Sequence, residues 1–392
     1  MNYNPIDPEV RKDPYPYYAE LRRERPVYHV EAMQALAISR YDDVSYVLND
    51  PALFSSDGFG QTNIDGRGTK MLISADPPDH TRLRSLVNKA FTPRMVADME
   101  PRIHEITSAL VDAAVERGEM DLIADLAIPL PVTIIAEILG VETERQADFK
   151  RWSGSVVAVK MTQEDLDAHE LLMQEFIDYF RAVIEERRKD PKDDMISLLV
   201  QAEEREQALS ADELISFTLL LLVAGNETTT NLIGNAIRAL LDHPDQLERV
   251  RNDHSLIPNV IEEALRYDAP VQFLFRRATE DVEIADITIP KDSIVLPLFA
   301  SANRDDRKYP DGERFDITRN TQGHMAFGHG IHFCLGAPLA RLEGAIALEA
   351  MLSRLDNIEH AGGEIEVIDS PFLRGPKHLQ LTFEPVAETV EA

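Results

Sequence analysis

Residues 327–336 read Phe327-Gly328-His329-Gly330-Ile331-His332-Phe333-Cys334-Leu335-Gly336, and Cys334 is the only cysteine among 392 residues. The three glycines of this run let a backbone turn tightly and come close to a flat ligand, because glycine has no Cβ to collide with it. The segment from Leu335 to Glu343 reads as a helix with Pro338 in its first turn, where a missing N–H costs little. Cys334 is then expected at a helix N-terminus. Unpaired N–H groups and the positive end of the dipole favour an anionic sulfur there and draw a thiol below its free pKa of about 8.5. The run suits one thiolate that binds a metal. A lone cysteine is more simply a small buried hydrophobe, but that reading leaves the surrounding glycines and histidines unexplained. A zinc site built from His324, His329, His332 and Cys334 is the other alternative, and structural zinc sites recruit more than one thiolate at paired spacings.

The run also resembles Phe-x-x-Gly-x-His-x-Cys-x-Gly, the haem-binding signature of the cytochrome P-450 monooxygenases, with every fixed position filled. The resemblance implies haem b as the cofactor and Cys334 as its axial iron ligand. It further implies His332 on a haem propionate, Phe327 packed near the sulfur, and Gly328 and Gly336 in the loop around the cofactor. An axial thiolate pushes electron density onto iron and favours O–O cleavage.

Ser210-Ala211-Asp212-Glu213 is a capping box, and the chain then runs without proline to His243-Pro244. A helix of about 30 residues at 1.5 Å each would span roughly 45 Å, the width of a whole domain. Its run from Phe217 to Ala224 is nearly all apolar, which predicts burial around most of its circumference, yet it is too short to cross a membrane. Gly225-Asn226-Glu227-Thr228-Thr229-Thr230 follows. Glycine, and hydroxyls that bond back to the preceding turn, are expected to distort the helix there. The stretch resembles the family's Ala/Gly-Gly-x-Asp/Glu-Thr-Thr, with Ala224, Gly225, Glu227, Thr228 and Thr229 in place. The resemblance implies Ala224 against the haem and Glu227 with Thr228 as the catalytic pair that passes protons to bound oxygen.

Glu263-Ala264-Leu265-Arg266 sets opposite charges at i and i+3, a pair worth about 0.2–0.5 kcal/mol on an exposed helix. It resembles the family's Glu-x-x-Arg, which meets the arginine of a downstream Pro-x-Arg-Phe in a polar network behind the haem. Arg314-Phe315 supplies that end here, and Gly312 stands where many relatives carry proline. His80-Thr81-Arg82-Leu83-Arg84 resembles the family's His-Thr-x-x-Arg helix, and spacing to Asp281 favours Arg276 over Arg277 as a further propionate ligand. His80, Arg84, Arg276 and His332 would then meet two carboxylates, a task for which the guanidinium fork is suited.

The net charge is −29 with 44% apolar residues. So acidic a surface disfavours nucleic acid and anionic membrane as partners, and the charge runs at 185–190 and 203–206 read as solvated helix ends and loops. The first residues carry no apolar stretch that would serve as signal or anchor, and one cysteine permits no internal disulfide; both point to the cytoplasm. No G-x-G-x-x-G fingerprint occurs, so electrons are expected from a separate ferredoxin or flavodoxin with its reductase, docking near Arg82, Lys89, Arg94 and Arg341.

Alternation at Val27–Ser39, Val282–Phe299 and Glu364–Phe383 predicts short strands around a helical body. The resemblance covers nearly the whole chain and implies a single domain over residues 1–392, mainly α with small β-sheets, the triangular helix-rich cytochrome P-450 fold of the soluble bacterial branch. The implied reaction uses O2 to hydroxylate or epoxidise a hydrophobic small molecule: a fatty acid, terpenoid, steroid or macrolide. Pocket candidates are Gly58–Met71, Trp152–Met173, Leu220, Val223, Val271, Phe273, Leu274, Phe372 and Leu373. Two rivals are a peroxide-driven oxidant of the same fold, which usually lacks the Glu-Thr pair, and a haem gas sensor or carrier, which needs no proton relay.

Overall fold

The capping box at Ser210 forms as read. Ser210 Oγ accepts from the Glu213 N–H at 3.2 Å, and the Glu213 carboxylate accepts from the Ser210 N–H at 2.8 Å. The helix it starts runs over Ala211–Asp242, 32 residues, and buries most of its surface. The computed structural model describes residues 2–59, 61–64, 67–158, 162–203 and 209–386. Within the sequence candidates, Gly60, Asp65, Gly66, Val159–Met161 and Glu204–Glu206 lie outside the described residues.

Helices of nine or more residues are α1 (Tyr15–Glu24), α2 (Tyr41–Asn49), α3 (Asp79–Ala90), α4 (Pro93–Val115), α5 (Pro129–Leu139) and α6 (Gln146–Val157). They continue as α7 (Gln163–Lys189), α8 (Met195–Glu203), α9 (Ala211–Asp242), α10 (Pro244–Asn252), α11 (Ile257–Tyr267) and α12 (Ala337–Arg354). Six of them carry proline at a first-turn position, where no donor is lost. The central helix α9 packs against α5, α6, α11 and α12. Its apolar residues join one large cluster that also holds α4, α5 and α12.

A five-stranded sheet takes the order β1 (Val27–Val30), β2 (Ala35–Ile38), β5 (Ile294–Pro297), β4 (Arg276–Ala278), β3 (Phe54–Ser55). It covers a second, smaller apolar cluster with α2. Residues 27–38 and 282–297 thus give the strands their alternation predicts. The stretch from Glu364 does not: only Gln380–Pro385 is a strand, paired with Leu355–His360 and Glu119–Asp121, and the residues before it are irregular apart from bridges such as Val271 with Leu373. Leu355–His360 alternates poorly in sequence and takes its strand form from its neighbour.

The long helix is unbroken where distortion is expected, and the hydroxyl bond back to the preceding turn does form. The backbone stays helical through Gly225–Thr230, and Thr228 Oγ1 donates to the Ala224 carbonyl at 2.6 Å without breaking it. Gly225 serves packing instead: a Cβ there would fall 2.6 Å from Ile135 Cδ1, so its absence lets α5 approach α9.

Candidate functional site

The segment from Phe327 to Gly336 leaves the core and turns back before α12, which begins at Ala337 with Gly336 as N-cap. The Cys334 N–H donates to the Phe327 carbonyl at 2.9 Å and closes the loop. Gly330 adopts φ +67°, and a Cβ on it would lie 2.3 Å from the Leu48 carbonyl oxygen at the end of α2. Only glycine fits both demands. Cys334 sits beside the N-terminus of α12 as read, but burial pushes its thiol up, outweighing the Gly336 and Ala337 N–H groups and the charges of Arg84 and Arg341, which pull it down. The expected low thiol is therefore not a property of the chain alone.

His80 and Arg84 from α3, Arg276 from β4 and His332 from the cysteine loop converge beside that thiol. The His80 and His332 rings meet edge to face at 4.4 Å. Burial, then Arg276, His80 and Arg84, drives His332 down to about 3. Burial likewise lowers His80 and Arg84, and it takes Arg276 to about 10 against the pull of Asp76. Arg276, not Arg277, is the buried one. Asp76 is already engaged by Ser55 Oγ at 2.5 Å and the Ser56 N–H at 2.9 Å, while Ser56 Oγ lies 3.0 Å from His332 Nε2. His80 Nε2 is buried with no partner among the described residues. Two guanidiniums this buried and this poorly answered, beside two imidazoles that burial keeps neutral and able to donate, need an anion. Two carboxylates entering from the side of Cys334 would satisfy them, so the cluster fits the propionates of a haem.

One stripe of α9 is open where most of the helix is buried. Ala224 is exposed in an otherwise buried helix, and Leu220, Val223, Gly225 and Thr228 are partly open on the same side. A spacing of three and four residues puts them on one stripe. Glu227 points elsewhere. Only 4% exposed, it accepts from Lys150 Nζ at 2.8 and 2.9 Å and from Ser153 Oγ at 2.8 Å, both on α6. The carboxylate thus reaches solvent through half-exposed Lys150, not by itself. Ser153 in turn accepts from Asn226 Nδ2 at 2.9 Å. Lys150 and Ser153 were invisible in sequence, because nothing local ties α6 to a residue 77 positions away.

Behind the loop, Glu263 and Arg266 form a fully buried bidentate pair at 2.7 Å. Arg266 also donates to the carbonyls of Asn303, Gly312 and Arg314. The structure brings only the backbone of Arg314 to this network, because its side chain is exposed; Arg319 approaches Glu263 instead, at 3.5 Å. Gly312 has its own reason. A Cβ would meet the Arg304 carbonyl at 2.6 Å, and its N–H donates to Asp306 at 2.9 Å, which proline could not do.

Of the pocket candidates, Val271, Leu274 and Phe372 are partly open, whereas Phe273 is fully buried and packs edge-on against Phe275 at 5.7 Å. Phe273 is core, not lining. Phe275 is the neighbour that the sequence did not single out; it stacks on Phe59 at 5.3 Å. Among the described residues no three His, Cys, Asp or Glu side chains converge as metal ligands, so the zinc reading has no geometry. The basic patch is also thinner than expected. Arg82 pairs with Glu213, Arg94 lies 3.8 Å from Asp98, and Arg341 is held by Glu262. No helix among the described residues is long and apolar enough to cross a membrane.

The family model for cytochrome P450 matches residues 8–383. Among solved structures, cytochrome P450 CYP109Q5 from Chondromyces apiculatus is 46% identical with a TM-score of 0.90, covering 98% of each chain. CYP109E1 from Bacillus megaterium, solved with testosterone, is 41% identical with a TM-score of 0.90 over 96% of this chain and 99% of that one. The 6-deoxyerythronolide B hydroxylase of Saccharopolyspora erythraea is 40% identical over 95% of this chain and 96% of its own. With a cysteine loop, a cluster of two arginines and two histidines and a long central helix as described, and with likeness running end to end, the chain belongs to the cytochrome P450 family of haem-iron monooxygenases.

Proposed function

We propose that Cys334 would bind the iron of haem b, that Arg84, Arg276, His80 and His332 would bind its propionates, and that the open stripe on α9 would line the same pocket. One observation carries this: two arginines and two histidines meet around His332 of the cysteine loop, and Asp76, the carboxylate that acts on His80 and Arg276 among the described residues, is taken by Ser55 and Ser56. Bound haem supplies the oxygen chemistry; the chain supplies position, exclusion of water and protons. Thr228 presents its hydroxyl on the open stripe, and Glu227, one residue earlier, holds a proton route that leads outward through Lys150. Loading with haem and recording the reduced carbon monoxide complex tests the ligand. A thiolate-type band in the parent and its loss in Cys334→Ser are expected, and an unchanged band in the variant would remove Cys334 from the iron.

The substrate is a hydrophobic small molecule, with steroids first. The open side chains Leu220, Val223, Val271, Leu274 and Phe372 are all apolar, and desolvation of such walls favours a ligand without charge. The 41% identical CYP109E1 has been solved with testosterone bound. Titration of the loaded protein with steroids, terpenoids, macrolides and fatty acids should displace the Soret band most tightly with steroids; a shift with fatty acids alone would overturn the class. Electrons come from a separate ferredoxin or flavodoxin, so NAD(P)H alone should not reduce the protein while either donor with its reductase should.

A further inference from the structure

Outside the cluster that faces the propionates, a second charged group leans on the cysteine loop. Arg341, on α12, sets its guanidinium 4.6 Å over the ring of Phe327. Its Nε donates to Glu262 Oε1 at 2.5 Å and its Nη2 to Glu262 Oε2 at 3.1 Å, so the planar fork is fixed by a bidentate bond. Glu262, on α11, is held from the other side by His324, whose Nε2 lies 3.0 Å away. His324 is itself buried, accepts from the Ala326 N–H at 3.3 Å, and packs 5.9 Å from Phe327. The ring of Phe327 is thus clasped between an arginine and a histidine that share one carboxylate. Through its carbonyl the same residue takes the Cys334 N–H at 2.9 Å.

The pair has a direction. The guanidinium is the member that lies on the Phe327 ring of the cysteine loop, and the Glu262 carboxylate is held on its Nε–Nη2 edge, so the positive end faces the loop. We infer that the Arg341–Glu262 ion pair is a positioning device for the thiolate loop: a fixed dipole whose positive end, laid on Phe327, stabilises the extra negative charge when the iron is reduced. The inference rests on Cys334 being the iron ligand. It gives Arg341 a task inside the molecule, with its charge already committed to Glu262 and not offered to an incoming donor. The field of a unit charge across a few side chains is screened but survives at a partly buried site.

The midpoint potential of the haem-loaded enzyme tests this, measured at about pH 8.5, above the ordinary histidine range. Arg341→Gln should weaken first-electron uptake about tenfold, a fall of about 59 mV for a one-electron couple. Glu262→Gln removes the negative end and should move the potential upward. Arg341→Lys keeps the charge and should restore most of the loss. Opposite shifts from the two members of one pair are what a field requires; a merely loosened loop would shift both the same way. Potentials that do not move, or that move together, overturn the inference while a thiolate-type carbon monoxide band in all variants leaves the cysteine ligand standing. Absence of that band in the parent would overturn both.

Discussion

At the scale of single residues, the acid of the acid–alcohol pair is the least independent group in the site. Glu227 takes three hydrogen bonds, all from α6, and Lys150 is the one with a face to water. Lys150→Met should therefore slow proton delivery without removing haem: kcat is expected to fall about tenfold or more, within the usual range for an interrupted proton transfer, with a larger solvent isotope effect. An unaltered isotope effect would mean that protons travel elsewhere. Thr228→Ala should keep haem and substrate binding while product per reductant falls and peroxide rises, and equal coupling in variant and parent would take Thr228 out of the reaction. The motif Gly225–Thr230 was legible because its residue types are unusual in mid-helix, and so was Cys334. Lys150 and Ser153 were not, since a lysine and a serine on an amphipathic helix look like any solvated pair.

Between elements, the contacts that hold the loop in place are backbone approaches and a buried charge. Gly330→Ala forces a Cβ onto the Leu48 carbonyl at a left-handed backbone angle and should destabilise the α2 contact by about 1–3 kcal/mol or prevent haem retention. Urea unfolding of the haem-free chain reads the first, and absorbance after gel filtration the second. Glu263→Gln leaves Arg266 buried without its anion and is expected to cost about 3–5 kcal/mol. A loss under 1 kcal/mol would show that the carbonyls of Asn303, Gly312 and Arg314 suffice. Sequence revealed the Glu263–Arg266 pair because i, i+3 partners are local. It misassigned the third member, because whether Arg314 or Arg319 turns inward depends on how a loop five residues long folds over α11, which no periodicity encodes.

For the whole molecule, one buried group should set a slope of stability with pH. Glu343 lies between α12 and α9, fully buried, with Oε1 lacking a partner among the described residues; burial pushes it up to about 8, against a hydrogen bond from Thr229. Between the ordinary 4.5 and about 8 the unfolded chain has released this proton and the folded chain has not, so stability falls as pH rises through that window and is level on either side. Glu343→Gln should flatten the slope and stabilise the protein at pH 8 by on the order of 4 kcal/mol relative to its effect near pH 4.5, at about 1.4 kcal/mol per unit. Parallel melting curves for parent and variant across that window would refute it. The helix after Ser210 was readable from its capping box and apolar run, and the one after Cys334 from its first-turn proline. The two aromatics Phe273 and Phe275 are two apart and look alike in sequence, yet Phe273 is bridged to Leu298 and fully buried while Phe275 stays partly open.

The cation cradle is written across the chain in four distant places. Ser56 and His332, which touch, are 276 positions apart, and His80, Arg276 and Cys334 are spread between and beyond them. During synthesis the ribosome delivers Ser56 and then α3 before the rest of the cradle, and the cysteine loop last but for α12 and the final strands, so no nascent segment holds all of these residues. On the proposed site, haem capture would wait until nearly the whole polypeptide has been released, and a translation product stalled before residue 334 is expected to build helices without keeping the pigment.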